Sequence, residues 1–330
     1  MSHTPLLKFW ALLILSSALV FGLLLGTGCA APAATEKPTI RLVEFDWTSQ
    51  VFLTELLDQI ISEQLGYPTE RTRLSQPVTW AAMDNGDVDI TPEIWFPGRQ
   101  AEIQPFLDKG NIELAGEVFT GAGTGWVVPR YVVEGDPARG IEPMAPDLKT
   151  IVDLKNYWKL FENHEKPGLG EVVGGEIGWV DIDPFIILGY DLPLWYSHQS
   201  EAVMLARLIA ADKKREPILM MIWWPHWIFS QVDLIKIEGV DPYHPELFDF
   251  DKEPYPVKSG FQVSKVYKVV RVGLKETAPD VYRLVHNMSV TEEEISELML
   301  RVDVNKEAMP DVARDWIGKN QNRIDQWLGK

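Results

Sequence analysis

Apolar and polar positions change rhythm along this chain at short intervals. "TIRLVEF" is an apolar run that predicts a strand over Ile40 to Phe45. "DWTS" reads as a turn in which Thr48 or Ser49 caps a helix. In that helix Val51, Leu56, Leu57, Ile60, Ile61 and Leu65 recur at helical spacing until Gly66 stops it. A second strand near Thr72, a short helix from Trp80 to Asn85 and a third strand, "GDVDITPEIW", follow. This strand–helix–strand rhythm with short loops argues for a parallel α/β sheet.

"GEVFTGAGTGWVVPRYVV" is a long β-rich run punctuated by glycine, and "DPARGIEPMAPD" is a proline-rich link. "LKTIVDLKNYWKLF" predicts a short helix and "GGEIGWV" a return to strand. A helix from Ser200 to Lys213 leads into the strand "PILMMIWW", and "GFQVSKVYKVVRV" holds another. The C-terminal part reads as helical. Thr291 and Glu294 make a capping box, and Val312, Trp316, Ile317, Ile324 and Trp327 form an apolar stripe. No internal repeat is visible.

The chain of 330 residues is 46% hydrophobic and carries a net charge of −17, from 48 acidic and 31 basic side chains. The length suits two lobes or two domains. Nucleic acid is a poor partner for so acidic a chain, because phosphate binding needs a basic face. The first 28 residues read as an export signal, with Lys8 before the apolar run "FWALLILSSALVFGLLL". "LGTGCA" resembles the lipobox of bacterial lipoproteins, with Gly26 where leucine is usual and Cys29, the one cysteine, as lipid attachment point. Residues 29–36 would be a tether of small residues. An uncleaved membrane anchor, or cleavage at "APAA" to free the protein, are the alternatives; all three put the folded part outside the cytoplasm.

Tryptophans supply the candidate chemistry. Trp95, Trp179 and Trp223, with Trp126, lie at predicted strand ends beside glycine or proline, and Trp47 follows the first strand. Ligands of open α/β sheets bind outside the carboxyl ends of the strands. Trp158, Trp316 and Trp327 lie on helix stripes and are assigned to the core, as are Trp80 and Trp195; Trp224 and Trp227 are expected to pack behind the site. Converging indoles suit a sugar, or a quaternary ammonium held by the negative ring faces. A ligand carboxylate would need backbone N–H groups, a helix N-terminus, histidine or arginine. Thr48 at a helix start, His226 and Arg99 are the candidates.

The loops "DWTSQVFLTELLDQIISEQLGY", "GDVDITPEIWFP", "GAGTGWVVPRYV", "DLKNYWKLF", "EIGWV", "SEAVMLARL" and "WWPHW" resemble, in order, those of the glycine betaine/choline/proline betaine binding proteins of ABC importers, the OpuAC-type domain. The resemblance covers the chain after the tether. It implies a type II periplasmic-binding-protein fold of class α/β, two lobes with two crossovers and a ligand cleft between them: residues 37–118 and 236–330 in lobe I, 119–235 in lobe II. It implies a cage of Trp95, Trp179 and Trp223, joined by Trp47 as in choline-preferring relatives. His226 stands where some members contact the ligand carboxylate, and Arg99 where one branch uses histidine. The N–H of Val180 is a further donor. Choline-preferring relatives place tyrosine at the position of Thr124; Trp126, two residues on, would share its face in a regular strand.

The expected function is capture of a quaternary ammonium compatible solute, glycine betaine, proline betaine or choline, and delivery to a membrane permease driven by a separate ATPase. No enzyme activity, cofactor or metal is expected, and membrane attachment is by lipid only. A binding protein for a sugar or amino acid is the first rival. A secreted hydrolase using Asp181 and Asp183, spaced as on one face of a strand, is the second.

Overall fold

The computed structural model describes residues 36–98, 100–179 and 181–330. The expected export signal, Cys29 and the tether to residue 35 lie outside the described residues, as do Arg99 and Val180. Lys37–Lys330 form one unit.

Strand β1 (Ile40–Glu44) buries Ile40, Leu42 and Val43 and pairs in parallel with β2 (Thr69–Arg73) and β3 (Ile90–Phe96). Helix α1 (Thr48–Gln59) covers it, with Phe52, Leu53, Leu56 and Leu57 wholly buried. Each such side chain contributes roughly 1.5–3 kcal/mol of transfer free energy. The helix runs on as a π-turn, Ile60–Gln64, and ends at Gly66, whose φ of 67° is left-handed. On the other side, β5 (Gly170–Gly174) pairs in parallel with β6 (Leu194–His198) and β7 (Met220–Trp224).

Two long strands join these groups. The 18-residue β4 (Ile112–Pro129) and β9 (Val263–Arg271) are antiparallel, from Ile112 opposite Arg271 to Gly123 opposite Val263. β9 also pairs with β3, while the far end of β4 pairs with β7 and with β8 (Leu234–Ile237). The order is β2-β1-β3-β9-β4-β7-β5-β6, with β8 on β4. The sheet is therefore mixed, not parallel throughout, because the glycine-punctuated run expected as β-rich is one continuous crossing strand. Its register with β9 shifts near Gly116 and Gly121, both at positive φ.

Three further expectations shift. "GGEIGWV" is not a strand: β5 stops at Gly174 and residues 177–179 are turn and bend, with Gly178 at φ 102°. "LKTIVDLKNYWKLF" breaks into Ile151–Asp153, Leu154–Tyr157 and Trp158–Phe161. The last helical stretch is two helices, Met309–Lys319 and Gln321–Leu328, parted at Asn320, whose φ of −116° is not helical. The capping box forms as the sequence indicates: Thr291 Oγ1 accepts the Glu294 N–H at 3.1 Å, and the Glu294 carboxylate accepts the Thr291 N–H at 2.8 Å. Trp316 and Trp327 stack at 5.8 Å in the core, and Trp80 is buried on the helix Gln76–Asn85. Among the described residues no helix is long and apolar enough to cross a membrane.

Candidate functional site

The site begins at an irregularity in β3. The pairing with β9 shifts between Thr91 and Ile94, where Pro92 has no N–H to give the ladder. Glu93 sits in that bulge, wholly buried. One of its oxygens, Oε1, accepts three donors: the indole N–H of Trp47 at 2.7 Å, that of Trp95 at 2.7 Å, and Ser49 Oγ at 3.0 Å. The other, Oε2, is buried without a hydrogen-bond partner. Burial pushes the carboxyl up to about 7, against the opposing pull of those hydrogen bonds. Trp47 is the residue at the N-cap of α1, and Trp95 follows Glu93 by two places, so one carboxylate fixes both rings.

The opposite side comes from β5 and β7. Trp179 stands on the turn after β5, its ring lying on the bare backbone of Gly175; a Cβ there would fall 2.1 Å from the indole. Its N–H is donated to Asp46 Oδ1 at 3.0 Å, beside Trp47. Trp223, in β7, is buried and its N–H has no hydrogen-bond partner. Successive rings meet almost at right angles: Trp47 and Trp179 at 79° and 5.9 Å, Trp179 and Trp223 at 83° and 5.2 Å.

These indoles wall a cavity of about 70 Å³ whose lining is Trp47, Trp95, Trp179 and Trp223 with Gln76, Thr124, Asp183, Met221 and Gln262. That is several times the roughly 10–15 Å³ a water molecule needs. No lysine, arginine or histidine is among these residues. Asp183, the first residue of the helix Asp183–Gly189, accepts the Trp126 N–H at 2.5 Å. Burial raises this carboxyl to about 6.

Next to the cavity lies a second polar cluster. Glu201, the first residue of the helix Glu201–Lys214, accepts the Thr48 N–H at 2.8 Å and the Thr48 hydroxyl at 3.1 Å. Its other oxygen lies 3.2 Å from His226 Nε2. His226 Nδ1 accepts the Ile228 N–H, which leaves the ring proton on Nε2, donated to Glu201. The His226 ring also packs edge-on against Trp223, with centroids 5.0 Å apart. Asp303 completes the cluster, accepting from the Trp227 indole and lying 3.1 Å from Thr48 Oγ1, where it competes with Glu201 for the one hydroxyl proton.

The structure thus brings Trp47, Trp95, Trp179 and Trp223 to one cavity and places the other expected residues differently. Trp126 lies mid-strand in β4, fully buried, and reaches the cavity only through Asp183; Thr124, opposite Trp223, lines it instead. His226 and Thr48 are not among the lining residues but are bonded to Glu201. Trp227 packs behind, and Trp224 carries Lys236 over its ring at 3.4 Å. Asp181 and Asp183 do not share a strand, since that segment is loop and helix start. Glu93, Gln76, Gln262, Met221 and Glu201 were not singled out in the sequence. For Glu93 a signal existed, a carboxylate beside proline in an otherwise apolar strand.

Residues 38–319 match the OpuAC family, the substrate binding domain of ABC-type glycine betaine transport system. The chain is 24% identical over 324 residues to the trimethylamine N-oxide-binding protein of Pelagibacter ubique, covering 93% of this chain and 96% of that one. It is 29% identical over 173 residues to the glycine betaine/carnitine transport binding protein GbuC of Listeria monocytogenes, a match spanning 49% of this chain and 52% of that relative. Among solved structures, an ABC-transporter choline binding protein in complex with choline superposes with a TM-score of 0.69 at 23% identity, covering 88% of this chain and 91% of that one. The lactococcal OpuAC in its closed-liganded conformation with glycine betaine gives 0.67 at 23% identity, over 88% and 100%. These likenesses establish the two-lobed type II periplasmic-binding-protein fold. The chain belongs to the OpuAC family, the substrate-binding domains of ABC-type glycine betaine transport systems.

Proposed function

We propose that this protein captures a small quaternary ammonium solute between the indoles of Trp47, Trp95, Trp179 and Trp223 and hands it to a membrane permease powered by a separate ATPase. The observation that carries the reading is the use made of the indole N–H groups. Those of Trp47, Trp95 and Trp179 are donated to the carboxylates of Glu93 and Asp46, while the rings line a cavity with no basic side chain among the described residues. Negative charge in the ring planes adds to the quadrupole that draws a cation onto the faces, each contact contributing about 0.5–2 kcal/mol. A sugar site would turn those same N–H groups and carboxylates toward hydroxyls; here they are spent on one another.

Residues 37–118 and 236–330 would form lobe I and 119–235 lobe II. Trp47 and Trp95 then face Trp179 and Trp223 across the cleft, and a bound cation favours the closed state by touching both. Lipid attachment at Cys29 would hold the protein outside the cytoplasm near its permease. Titration with glycine betaine, choline, trimethylamine N-oxide, carnitine, maltose and glutamine, followed by tryptophan fluorescence, tests the reading. A response confined to maltose or glutamine refutes it. So does undiminished binding in Trp95→Ala, Trp179→Ala and Trp223→Ala combined.

A further inference from the structure

A ligand with a carboxylate one or two carbons from its cationic nitrogen needs donors just outside the cage. Two elements flank the cage walls with such donors: Thr48, next in the chain to Trp47, and His226, packed on Trp223. The start of α1 and a neutral histidine carrying its proton on Nε2 together offer the donors a carboxylate needs. That position is already filled, by a carboxylate of the chain itself. Glu201, only 6% exposed, spans the two, taking the Thr48 N–H and hydroxyl on one oxygen and facing His226 Nε2 with the other.

We propose that Glu201 is the specificity-determining residue of this site: it occupies the donors that a ligand carboxylate would require and so selects quaternary ammonium ligands without a carboxylate, such as hydroxyalkyl trimethylammonium ions. This rests on the cage reading above. Three features point the same way. The donors are satisfied internally, so an incoming carboxylate finds none free at this position. Glu201 and Asp303 put negative charge there, which repels a second carboxylate. The polar groups that do line the cavity, Gln76, Thr124, Asp183 and Gln262, are uncharged or acidic, and Asp183 suits a hydroxyl that donates. Discrimination is built by a repulsive element as well as an attractive one.

Glu201 also ties α1 to the helix Glu201–Lys214 and to the turn after β7, and its loss removes that tie. The isosteric Glu201→Gln keeps an acceptor for Thr48 while removing the charge, and a thermal melt of each variant reports folding. The experiment is calorimetric titration of the full chain with choline and with glycine betaine, for the wild type, Glu201→Gln, Glu201→Ala and Trp223→Ala. Wild type is expected to bind choline at least tenfold more tightly than glycine betaine. In folded Glu201→Ala that ratio falls at least tenfold, through tighter binding of glycine betaine; in Glu201→Gln, which removes the charge but still fills the position, it falls by less. A wild type that prefers glycine betaine, or an unchanged ratio in both variants, overturns the proposal. Failure of the cage itself reads differently: Trp223→Ala would then bind both ligands as the wild type does.

Discussion

Replacing Glu93 by glutamine should change how stability depends on pH, in a direction that the burial of this carboxylate dictates. In the unfolded chain a glutamate gives up its proton near 4.5, whereas in the fold burial holds Glu93 protonated up to about 7. Between these values the unfolded state binds fewer protons than the folded one, so stability falls as pH rises. Each pH unit inside the window is about 1.4 kcal/mol. The contribution of Glu93 therefore drops by about 2–3 kcal/mol from pH 5 to pH 8. Glutamine does not titrate and still offers an acceptor to the Trp47 and Trp95 indoles, so the variant lacks this loss. Urea denaturation of wild type and Glu93→Gln at pH 5, 6, 7 and 8 should show their difference moving toward the variant by that amount. Parallel stability profiles would refute the reasoning. Binding gives a second readout with the opposite sign for the wild type. A cation in the cage draws Glu93 toward its ionised form, so affinity rises with pH across the same window and flattens in the variant. Asp183, pushed up to about 6, titrates in the same window, which is why the comparison is with the variant and not the wild-type profile alone.

Three further outcomes are expected. Gly175→Ala sets a methyl group where the Trp179 ring lies, so ligand affinity should fall at least tenfold by calorimetry with little change in the thermal melt. Trp126→Phe removes the donor from buried Asp183, a loss of about 1–3 kcal/mol in stability, and should weaken binding although Trp126 does not line the cavity. Lys268 is buried, donating to the carbonyls of His286 and Met288, and desolvation lowers it to about 7. Between that value and 10.5 the unfolded chain holds the extra proton, so wild-type stability should rise with pH relative to Lys268→Met, at up to about 1.4 kcal/mol per unit; denaturation midpoints that keep a constant difference from pH 7 to 10 would contradict this.

What the sequence disclosed depended on how local the determinant was. The parallel strands β1, β3 and β7, helix α1 and the capping box at Thr291 follow from apolar spacing and caps within a dozen residues, and they are where the pattern puts them. The mixed character of the sheet was hidden, because β4 and β9 meet across more than a hundred residues and neither strand states its partner. The tryptophans were legible because proline and glycine mark the strand ends that carry Trp95 and Trp223. Trp126 misled for the same reason: glycines around it suggest a strand end, yet Gly123 and Gly125 pair in regular register with β7 in a strand that continues to Pro129.

The carboxylates were the least legible part of the site, and the reason is physical. An acidic residue in a chain of net charge −17 is, by default, a solvated surface group. Glu93, Asp183 and Glu201 depart from that default only because the topology brings their three elements, a bulged strand and two helix starts, against the same four indoles and the turn that follows β7. Each is buried, and each is tolerated there by the donors it meets: two indoles and a serine for Glu93, Trp126 for Asp183, Thr48 and His226 for Glu201. Burying negative charge this close to a cavity costs stability in the empty protein, and a bound cation returns part of it. Affinity for a cation and the cost of burying charge without one therefore have the same origin, so variants that neutralise Glu93 or Asp183 should stabilise the free protein as they weaken the complex.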